Sequence, residues 1–459
     1  MTVSRLSSKG SGRIGIETAP RPHFVTDGTR VHHGKSVVKE SRAPYFATFI
    51  AFLLVTFAFG PYIADGLRTE QIMVYALAAI SSPNLLVRNV WTKTAAPILA
   101  IWALLCIAVL SGSVFPPINT SLFASGQLLA GLDNVSGTLA VMITMISLRL
   151  GNHAADFLRR ISLLVVVMMC INTMASIATV VTGRTWAQFW SSDLESSAER
   201  ALTQNRVSGL INQPAEAGVL YAVASLCALY ALRTKPRWLL ASLTFLFVGA
   251  VMSVSKVYLL VGLPLIAWQL VRIEDGRAKR AFWIAVTGSL LLLAGQLGVL
   301  SRWKGAEQLD ALLNRTSGGS WLEWASANRF GGRSTIRPVV QAVLDGPMFL
   351  GYGGRGLAIA YDNAFVEALV LGGLVGVALL VLLFIYMARM WRRAGRSPER
   401  TLLGALILLM AGAAMGLPVF TANRVSTVLW VVVFGTLAAL PLHASQRRPS
   451  LAGQEAQEL

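Results

Sequence analysis

The chain has 459 residues, of which 54% are hydrophobic and only 14% are charged, and its mean hydropathy is +0.60. Soluble domains usually carry about 25% charged residues, so this composition excludes an ordinary soluble protein and indicates an integral membrane protein. The apolar runs are about 20 residues long, which is typical of membrane helices and unlike the short alternating strands of a membrane barrel. The net charge of +18 is explained by basic loops beside membrane helices, so no nucleic-acid partner is predicted.

Residues 1–44 form a basic segment in front of the first apolar run. Eight Lys or Arg residues stand there among Ser, Gly and Pro, which predicts a disordered cytoplasmic tail without a cleavable signal peptide. Twelve apolar runs follow and predict an all-α polytopic membrane protein with about 12 transmembrane helices in the domain 45–442, before a second cytoplasmic tail, 443–459. The predicted spans are 45–64, 70–87, 95–115, 124–148, 161–182, 214–232, 237–254, 256–271, 281–301, 363–388, 401–420 and 424–442.

The distribution of Lys and Arg predicts the orientation of these helices. When the N-terminus is placed in the cytoplasm, every cytoplasmic connection is basic, and 27 of the 40 Lys and Arg residues lie on that side. The positive-inside rule therefore favours N-in and C-in termini with an even number of spans. Two long loops, 183–213 and 302–362, then lie on the outer side, and the larger one connects the ninth and tenth spans.

The other 13 basic residues lie on the outer side, and all but two of them are Arg. The planar Arg fork binds phosphate with two parallel hydrogen bonds, so this set suits a lipid-linked phosphate or diphosphate. Contact with anionic lipid headgroups would need only positive charge and is the alternative interpretation. The set consists of Arg68, Arg184, Arg200, Arg206, Lys256, Arg302, Lys304, Arg315, Arg329, Arg333, Arg337, Arg355 and Arg424.

The first outer loop ends at the mouth of the sixth span with a helix-start pattern. Asn212 or Gln213 is placed to cap the helix, Pro214 suits its first turn and Glu216 suits its positive end. This capping role does not explain Arg206, whose positive charge would lie beside the same helix end. An anion bound between Arg206 and the helix would explain it.

The second outer loop combines Arg residues with closely spaced glycines. The segment 331–338 reads as a turn that holds Arg333 and Arg337, and Gly351 and Gly353 stand just before Arg355. Glycines permit a close approach of the backbone to a ligand, although a merely flexible connection has the same composition. The Lys-Ser/Thr pair of a P-loop is missing.

Two carboxylates stand at the mouth of the tenth span. Asp362 is placed to cap the helix, and Asn363 and Glu367 share a face because they are four residues apart. A capped helix with an acidic first turn accounts for Asp362. Glu367 lies more than a turn inside an apolar run, where a carboxylate needs a partner or a cavity.

Further polar residues stand inside or between apolar runs. Lys256 lies between the seventh and eighth spans, where it either extends to the interface or joins the anion site, and Asp133 in the fourth span is a weaker candidate. The three Cys lie in apolar runs, and no His pair beyond the N-terminal tail has metal-ligand spacing, so neither a metal nor another cofactor is predicted.

Five short motifs recur in a fixed order between residues 200 and 380. They are Arg206-x-x-Gly209-x-x-Asn212-x-Pro214, Ser253-x-Ser255-Lys256, Gly332-Arg333, Pro347-x-x-x-Gly351-x-Gly353 and Asp362-Asn363-x-x-x-Glu367-x-x-x-x-Gly372. In their order and spacing they resemble the O-antigen ligase and Wzy-type polysaccharide polymerase superfamily. Asp362 stands where family members often have His, and Lys256 stands where they often have Arg.

The resemblance implies a GT-C-like, metal-independent, inverting glycosyltransferase at the periplasmic face of the bacterial inner membrane. Its substrates would be a polyprenyl-diphosphate-linked oligosaccharide donor and an acceptor sugar, and its protein partners would be chain-length regulators and export proteins. Fitted to that reaction, Arg206, Arg333 and Lys256, followed by Arg337 and Arg355, bind the diphosphate. Asp362, or alternatively Glu367, would be the base. A polymerase is favoured over a ligase that transfers a finished glycan to lipid A core, and a flippase is the alternative of another class.

Overall fold

The structure is a computed structural model that describes residues 43–64, 67–86, 90–114, 128–148, 150–182, 206–211, 213–272, 276, 336–358 and 361–441. These residues form an all-helical bundle apart from one small hairpin of Tyr62–Ala64 and Leu67–Arg68. The α-helices, numbered α1 to α12 in chain order, are Ala43–Ala58, Thr69–Ser81, Val90–Val114, Leu128–Ser147, Ala154–Thr182, Pro214–Ala231, Pro236–Met252, Leu263–Arg272, Ile336–Asp345, Ala364–Arg393, Pro398–Ala414 and Asn423–Ala439. Short 3₁₀ segments at Ser82–Leu86, Gly151–His153 and Gly353–Ala358 and a π-helix at Tyr258–Gly262 extend or connect them.

Four of the described helices are long and apolar enough to cross a membrane, which confirms the prediction of a helical membrane protein. They are Thr94–Val114, Gly151–Thr182, Pro214–Ala231 and Ala364–Arg393. Helices also occupy the other predicted spans except 281–301, which lies outside the described residues together with most of the two long loops and both tails. The total of twelve membrane crossings and their orientation stay predictions.

Helices α6 and α12 lie at the centre of the bundle. Helix α6 is rich in Ala, and most of its side chains are buried against α5, α7 and α11. Small side chains let helix backbones approach closely where apolar surroundings provide little hydrophobic drive. Helix α12 packs against α1, α4 and α5, and its Trp430 meets Trp102 of α3 edge to face at 5.9 Å between ring centroids.

Helix α10 is broken at Gly373, where φ is 61° and ψ is −155°. The ring centroids of Phe365 and Phe384 lie 6.4 Å apart, whereas a straight helix would separate two residues 19 positions apart by about 28 Å. Residues 364–372, the short arm, therefore fold back along the rest of the helix, the long arm. The tenth predicted span, 363–388, is accordingly a helical hairpin and not one continuous helix.

The loop before α10 completes the hydrogen bonding of this break. The amide of Leu374 donates to the carbonyl of Met348 at 2.8 Å, and the amide of Tyr352 donates to the carbonyl of Val370 at 2.7 Å. The first bond gives a partner to an amide at the start of the long arm. The second gives a partner to a carbonyl near the end of the short arm. Polar backbone groups that water does not reach need such hydrogen-bond partners. The loop and the hairpin are therefore held together by hydrogen bonds.

Gly351 and Gly353 in this loop have φ values of 66° and 60°, which favour glycine. A Cβ atom on Gly351 would lie 2.4 Å from the carbonyl oxygen of Val370, and one on Gly353 would lie 2.2 Å from the amide nitrogen of Ser113. The close backbone approach that the sequence predicts is thus made to α10 and α3 of the protein itself.

Candidate functional site

The segment 206–211, which leads into α6, is fixed to α5 by Asn172. The amide of Leu210 donates to Asn172 Oδ1 at 2.7 Å. Asn172 Nδ2 in turn lies 3.0 Å from both the carbonyl oxygen of Ser208 and the hydroxyl of Tyr221. Because Asn172, Ser208 and Tyr221 are buried, their hydrogen bonds hold the segment in one position on the bundle.

Arg206 begins this segment, and its guanidinium lies against the turn between α7 and the π-helix. Nε donates to the carbonyl of Ser253 at 3.4 Å, and Nη2 donates to the carbonyl of Val254 at 3.3 Å. Val254 has a φ of 46°, a left-handed conformation that a β-branched residue rarely adopts. Strained backbone of this kind is concentrated at functional sites.

Arg206 interacts electrostatically with Asp362 at the mouth of α10. Burial lowers the pKa of Arg206, and the carboxylate of Asp362 partly offsets this effect by raising it. The structure therefore brings together one predicted diphosphate ligand and one predicted catalytic carboxylate, which are 156 positions apart in the sequence.

The residue that caps α10 is Asn363, and the prediction that Asp362 does so was wrong. Asn363 Oδ1 accepts from the amides of Phe365 at 2.9 Å and Val366 at 3.1 Å, and Nδ2 donates to the carbonyl of Met415. The side chain of Asn363 is buried, and Asp362 is exposed. The carboxylate of Asp362 is thus not used to cap the helix.

Glu367 occupies a different environment from Asp362. Its side chain is 3% exposed and accepts a hydrogen bond from the hydroxyl of Thr421. It also lines an apolar cavity with Trp102 and Leu105 of α3. The partner and the cavity that an intramembrane carboxylate needs are therefore both present.

Arg424, 2% exposed, joins three parts of the chain at the same end of the bundle. Its Nη1 donates to the carbonyl of Leu210 at 2.9 Å, and its Nη2 donates to the carbonyl of Gly60 at 3.0 Å. Its Nε lies 3.8 Å from the carboxylate of Glu70 in the first turn of α2. Arg424 thus holds the segment that carries Arg206 against α1 and α2.

Glu70, which is buried, and Glu216, which is half-buried, complete a group of charges around Arg424. The other carboxylate oxygen of Glu70 pairs with Arg68 at 3.2 Å. Glu216 interacts electrostatically with Arg68, Arg424 and Glu70. The prediction that Glu216 lies in the first turn of α6 is confirmed, but this acid also belongs to a network that the sequence did not indicate.

Of the other residues predicted at the start of α6, the structure confirms Pro214 and describes Gln213 but not Asn212. Pro214 is the first residue of α6, as predicted, and Gln213 stands at the N-cap without a side-chain hydrogen bond to the helix. Asn212, the other predicted cap, lies outside the described residues.

The structure describes three of the four other predicted diphosphate ligands. Lys256 is half-buried and follows the turn that binds Arg206, and Arg355 is half-buried in the Gly353–Ala358 segment. Arg337 is exposed on α9, which begins at Ile336, so the turn predicted at 331–338 ends in a helix. Arg333 lies outside the described residues.

Sequence reasoning gave no role to Asn172 or Glu70 and no partner to Arg424. Each had a weak signal: Asn172 is an amide inside an apolar span, Glu70 opens the second span, and Arg424 belongs to the outer basic set. A polar residue in an apolar run indicates a partner but cannot name it.

Among the described residues, no three His, Cys, Asp or Glu side chains are grouped so that they could hold a metal ion. Asp133 is bound to α2 by hydrogen bonds from Gln71 and Tyr75.

The chain matches no model of a known protein family and no curated protein. Fold and site therefore define a helical membrane protein with Arg residues and carboxylates, several of them buried, gathered at one end of its bundle.

Proposed function

We propose that this protein is a polymerase that joins polyprenyl-diphosphate-linked oligosaccharide units into an exopolysaccharide, capsule or O-antigen. The observation that carries the proposal is the electrostatic interaction of the half-buried guanidinium of Arg206 with the exposed carboxylate of Asp362. A fixed guanidinium suits a diphosphate, and a neighbouring carboxylate suits the activation of a hydroxyl. In this proposal the Arg206 end of the bundle faces the periplasm from the bacterial inner membrane.

The reaction would be a single inverting displacement. A hydroxyl oxygen of the acceptor sugar bonds to the anomeric carbon of the donor, and the bond between that carbon and the lipid diphosphate breaks. The hydroxyl proton passes to a carboxylate, while negative charge grows on the leaving diphosphate. Arg206 stabilises that growing charge and therefore lowers the barrier more than it strengthens ground-state binding. Lys256, Arg355, Arg337 and Arg333 are further ligands in this proposal.

The surroundings of the two carboxylates support Asp362 as the base over Glu367. Asp362 is exposed and interacts electrostatically with Arg206. Glu367 faces an apolar cavity between helices and accepts a hydrogen bond from Thr421. A base must reach the hydroxyl whose proton it removes, which the exposed position permits and the buried one does not. Glu367 then serves to hold the short arm of α10 to the turn before α12.

Substitution of Asp362 and Arg206 tests the proposal. Membranes with Asp362→Asn or Arg206→Gln are supplied with lipid-linked repeat units, and polymer length is measured on gels at matched protein abundance. We expect Asp362→Asn to reduce polymer formation by at least ~100-fold, and Arg206→Gln to do so by a similar ~100-fold. Arg206→Lys should retain part of the activity, because it keeps the charge without the fork.

Gln341→Ala, an exposed substitution on α9, is the matched control and should polymerise normally. Undiminished polymer with Asp362→Asn would remove Asp362 as the base. Undiminished polymer with Arg206→Gln would remove the diphosphate site from this end of the bundle.

One observation favours a second candidate, a transporter of the same lipid-linked saccharides. Discontinuous helices such as α10 are common at the substrate sites of transporters, where the end of a short helical arm faces the ligand. A transporter moves the saccharide across the bilayer and leaves its diphosphate bond intact. Release of the lipid diphosphate during turnover separates the two functions.

A further inference from the structure

The apolar stretches of α3 and α5 show how far the lipid-facing surface extends. On α3 this stretch is Thr94–Val114, which has 21 residues and a length of about 31 Å, and Val114 is 59% exposed. On α5 it ends at Val181, which is 77% exposed and follows the exposed Arg160 by 21 positions, again about 31 Å. The hydrocarbon core of a bilayer is about 30 Å thick, so each stretch matches one complete crossing.

The tip of the α10 hairpin lies level with the end of α3. A Cβ atom on Gly112 of α3 would lie 2.6 Å from the carbonyl oxygen of Leu350, and a Cβ atom on Gly373 of α10 would lie 2.6 Å from the amide nitrogen of the same residue. Leu350 is 41% exposed and adds to the apolar surface at this level. We call the level of Val114, Leu350 and Gly373 the outer edge, because the positive-inside rule places it on the outer side.

The candidate site lies well below the outer edge. Asp362 precedes Gly373 by 11 positions, so the short arm separates the two levels by about 15 Å. Asn172, which holds the segment of Arg206, precedes Val181 by nine positions, or about 14 Å along α5. Two different helices therefore place the site near the middle of a hydrocarbon core of about 30 Å.

Charged side chains at this depth are not all enclosed by protein. Asp362 is exposed, and the side chain of Arg68 is 27% exposed. Charges inside a bilayer are costly and almost always face the interior of a helix bundle or a water-filled cavity. The exposed carboxylate of Asp362 therefore requires water about 15 Å inside the outer edge.

Helix α9 runs along the short arm of α10 between the two levels. Two valines of each helix belong to one buried cluster, and they are Val339, Val343, Val366 and Val370. Helix α9 ends at Asp345, and three positions later the carbonyl of Met348 accepts from the amide of Leu374, next to the break. The end of α9 is therefore near the outer edge, and its start is near the depth of the site.

The exposed face of α9 carries a polar stripe. Arg337, Gln341 and Asp345 are all exposed and follow one another at intervals of four residues, so they share one face over about 12 Å of helix. Gln341 Nε2 donates to Asp345 Oδ1 at 2.8 Å. At matching depths the exposed side chains of α3 are apolar, at Leu104 and Leu110. Lipid therefore suits the face of α3, and water suits the face of α9.

We infer that a water-filled vestibule descends along the polar stripe of α9 from the outer edge to Arg206 and Asp362, through the outer half of the bilayer. A hydrophilic ligand reaches the site through this water, so the site is not at the membrane surface. The vestibule follows from depth and charge and holds for any reaction at the site. In the proposed polymerase the acceptor sugar would enter by this route and the product would leave by it; this extension alone rests on the proposed function.

Cysteines introduced at matched depths on the two faces test the vestibule. The variants of the polar stripe are Asp345→Cys, Gln341→Cys and Arg337→Cys, and those of the apolar face are Leu110→Cys and Leu104→Cys. The full-length protein is treated with a charged methanethiosulfonate reagent, and the rate of modification is measured. Opened membranes are used, so that both sides are reached and the result does not depend on orientation. The unsubstituted protein gives the background of its three native cysteines.

We expect the three cysteines of the polar stripe to react at rates within ~10-fold of one another, because a thiol in water ionises to the reactive thiolate. Leu110→Cys and Leu104→Cys should react at least ~100-fold more slowly, because hydrocarbon suppresses the thiolate and excludes the charged reagent. A second measurement checks the depth. A small fluorophore attached at Leu104→Cys should be quenched by lipids with brominated acyl chains, and one at Arg337→Cys should not.

Two results would overturn the inference. One is slow modification of Gln341→Cys or Arg337→Cys, which would show that water does not descend along α9. The other is fast modification of Leu104→Cys with an unquenched fluorophore there, which would place the bilayer surface at the depth of the site. Neither readout measures polymer, so failure of the vestibule leaves the proposed function standing. Loss of the proposed function in the polymer assay likewise leaves the labelling pattern unchanged.

Discussion

At the scale of single residues, the candidate site depends on buried polar side chains whose partners lie far away in the sequence. Arg424 and Asn172 each bind backbone carbonyls or amides of the segment 206–211. Neither residue needs to touch a substrate to matter, because together they determine where Arg206 lies. The guanidinium suits this task, since its planar fork binds several acceptors in fixed directions.

Removal of Arg424 should destabilise the protein strongly. Arg424→Met leaves Glu70 without one of its two cations and leaves the carbonyls of Leu210 and Gly60 without donors. Loss of one partner of a buried charge pair typically costs about 3–5 kcal/mol. The measurement is thermal unfolding of the purified protein in detergent.

Arg392→Gln is the control for this substitution, because Arg392 is exposed near the end of α10. Exposed substitutions usually change stability by no more than about 0.5 kcal/mol. An Arg424→Met variant that unfolds at the wild-type temperature would show that these contacts contribute nothing to stability.

At the scale of elements, the hairpin of α10 and the loop that seals it form the main departure from the predicted fold. The break depends on Gly373 for two reasons. Its φ of 61° is unfavourable for residues with a side chain, and a Cβ atom there would lie 2.3 Å from the backbone of Phe349. The break allows the short arm to bring Asp362 towards Arg206, so the geometry of the site depends on a glycine that takes no part in chemistry.

Gly373→Ala should therefore lower stability by more than an ordinary left-handed glycine does. Gly151 separates the two effects, because its φ is 50° but a Cβ atom there would meet nothing within 4 Å. Gly151→Ala should cost only the conformational penalty of about 1–2 kcal/mol. Gly373→Ala adds a clash with backbone that cannot move aside. Equal unfolding temperatures for the two variants would contradict the close contact between the loop and the break.

At the scale of the whole molecule, the proposed function requires the Arg206 end to face outward. Asp345 and Arg392 are both exposed, and the positive-inside rule places them on opposite sides of the membrane. A cysteine introduced at one or the other position tests this orientation in spheroplasts. We expect a membrane-impermeant thiol reagent to label Asp345→Cys, and Arg392→Cys only after the membrane is opened. The unsubstituted protein, with Cys106, Cys170 and Cys227 buried or half-buried, controls for background. The reverse labelling pattern would place the site in the cytoplasm.

The sequence predicted the helical class and the start of α6 at Pro214, because apolar length and helix-start residues are local properties. It named Asp362 as the cap of α10, where the structure has Asn363. It did not predict the hairpin, because an apolar run with a glycine pair has the same sequence pattern whether the helix continues or folds back. It also did not pair Arg424 with Glu70, which is 354 positions away, because contacts of this kind are set by packing. The resemblance assigned Arg206 and Asp362 to one site, and in the structure the two side chains interact electrostatically.

The most direct test of polymerisation uses the purified wild-type protein in liposomes with lipid-linked saccharide and a metal chelator. We predict saccharide chains of two or more repeat units on one lipid and an equivalent release of lipid diphosphate. Saccharide that crosses the bilayer unchanged, with no longer chains and no released diphosphate, would contradict the account.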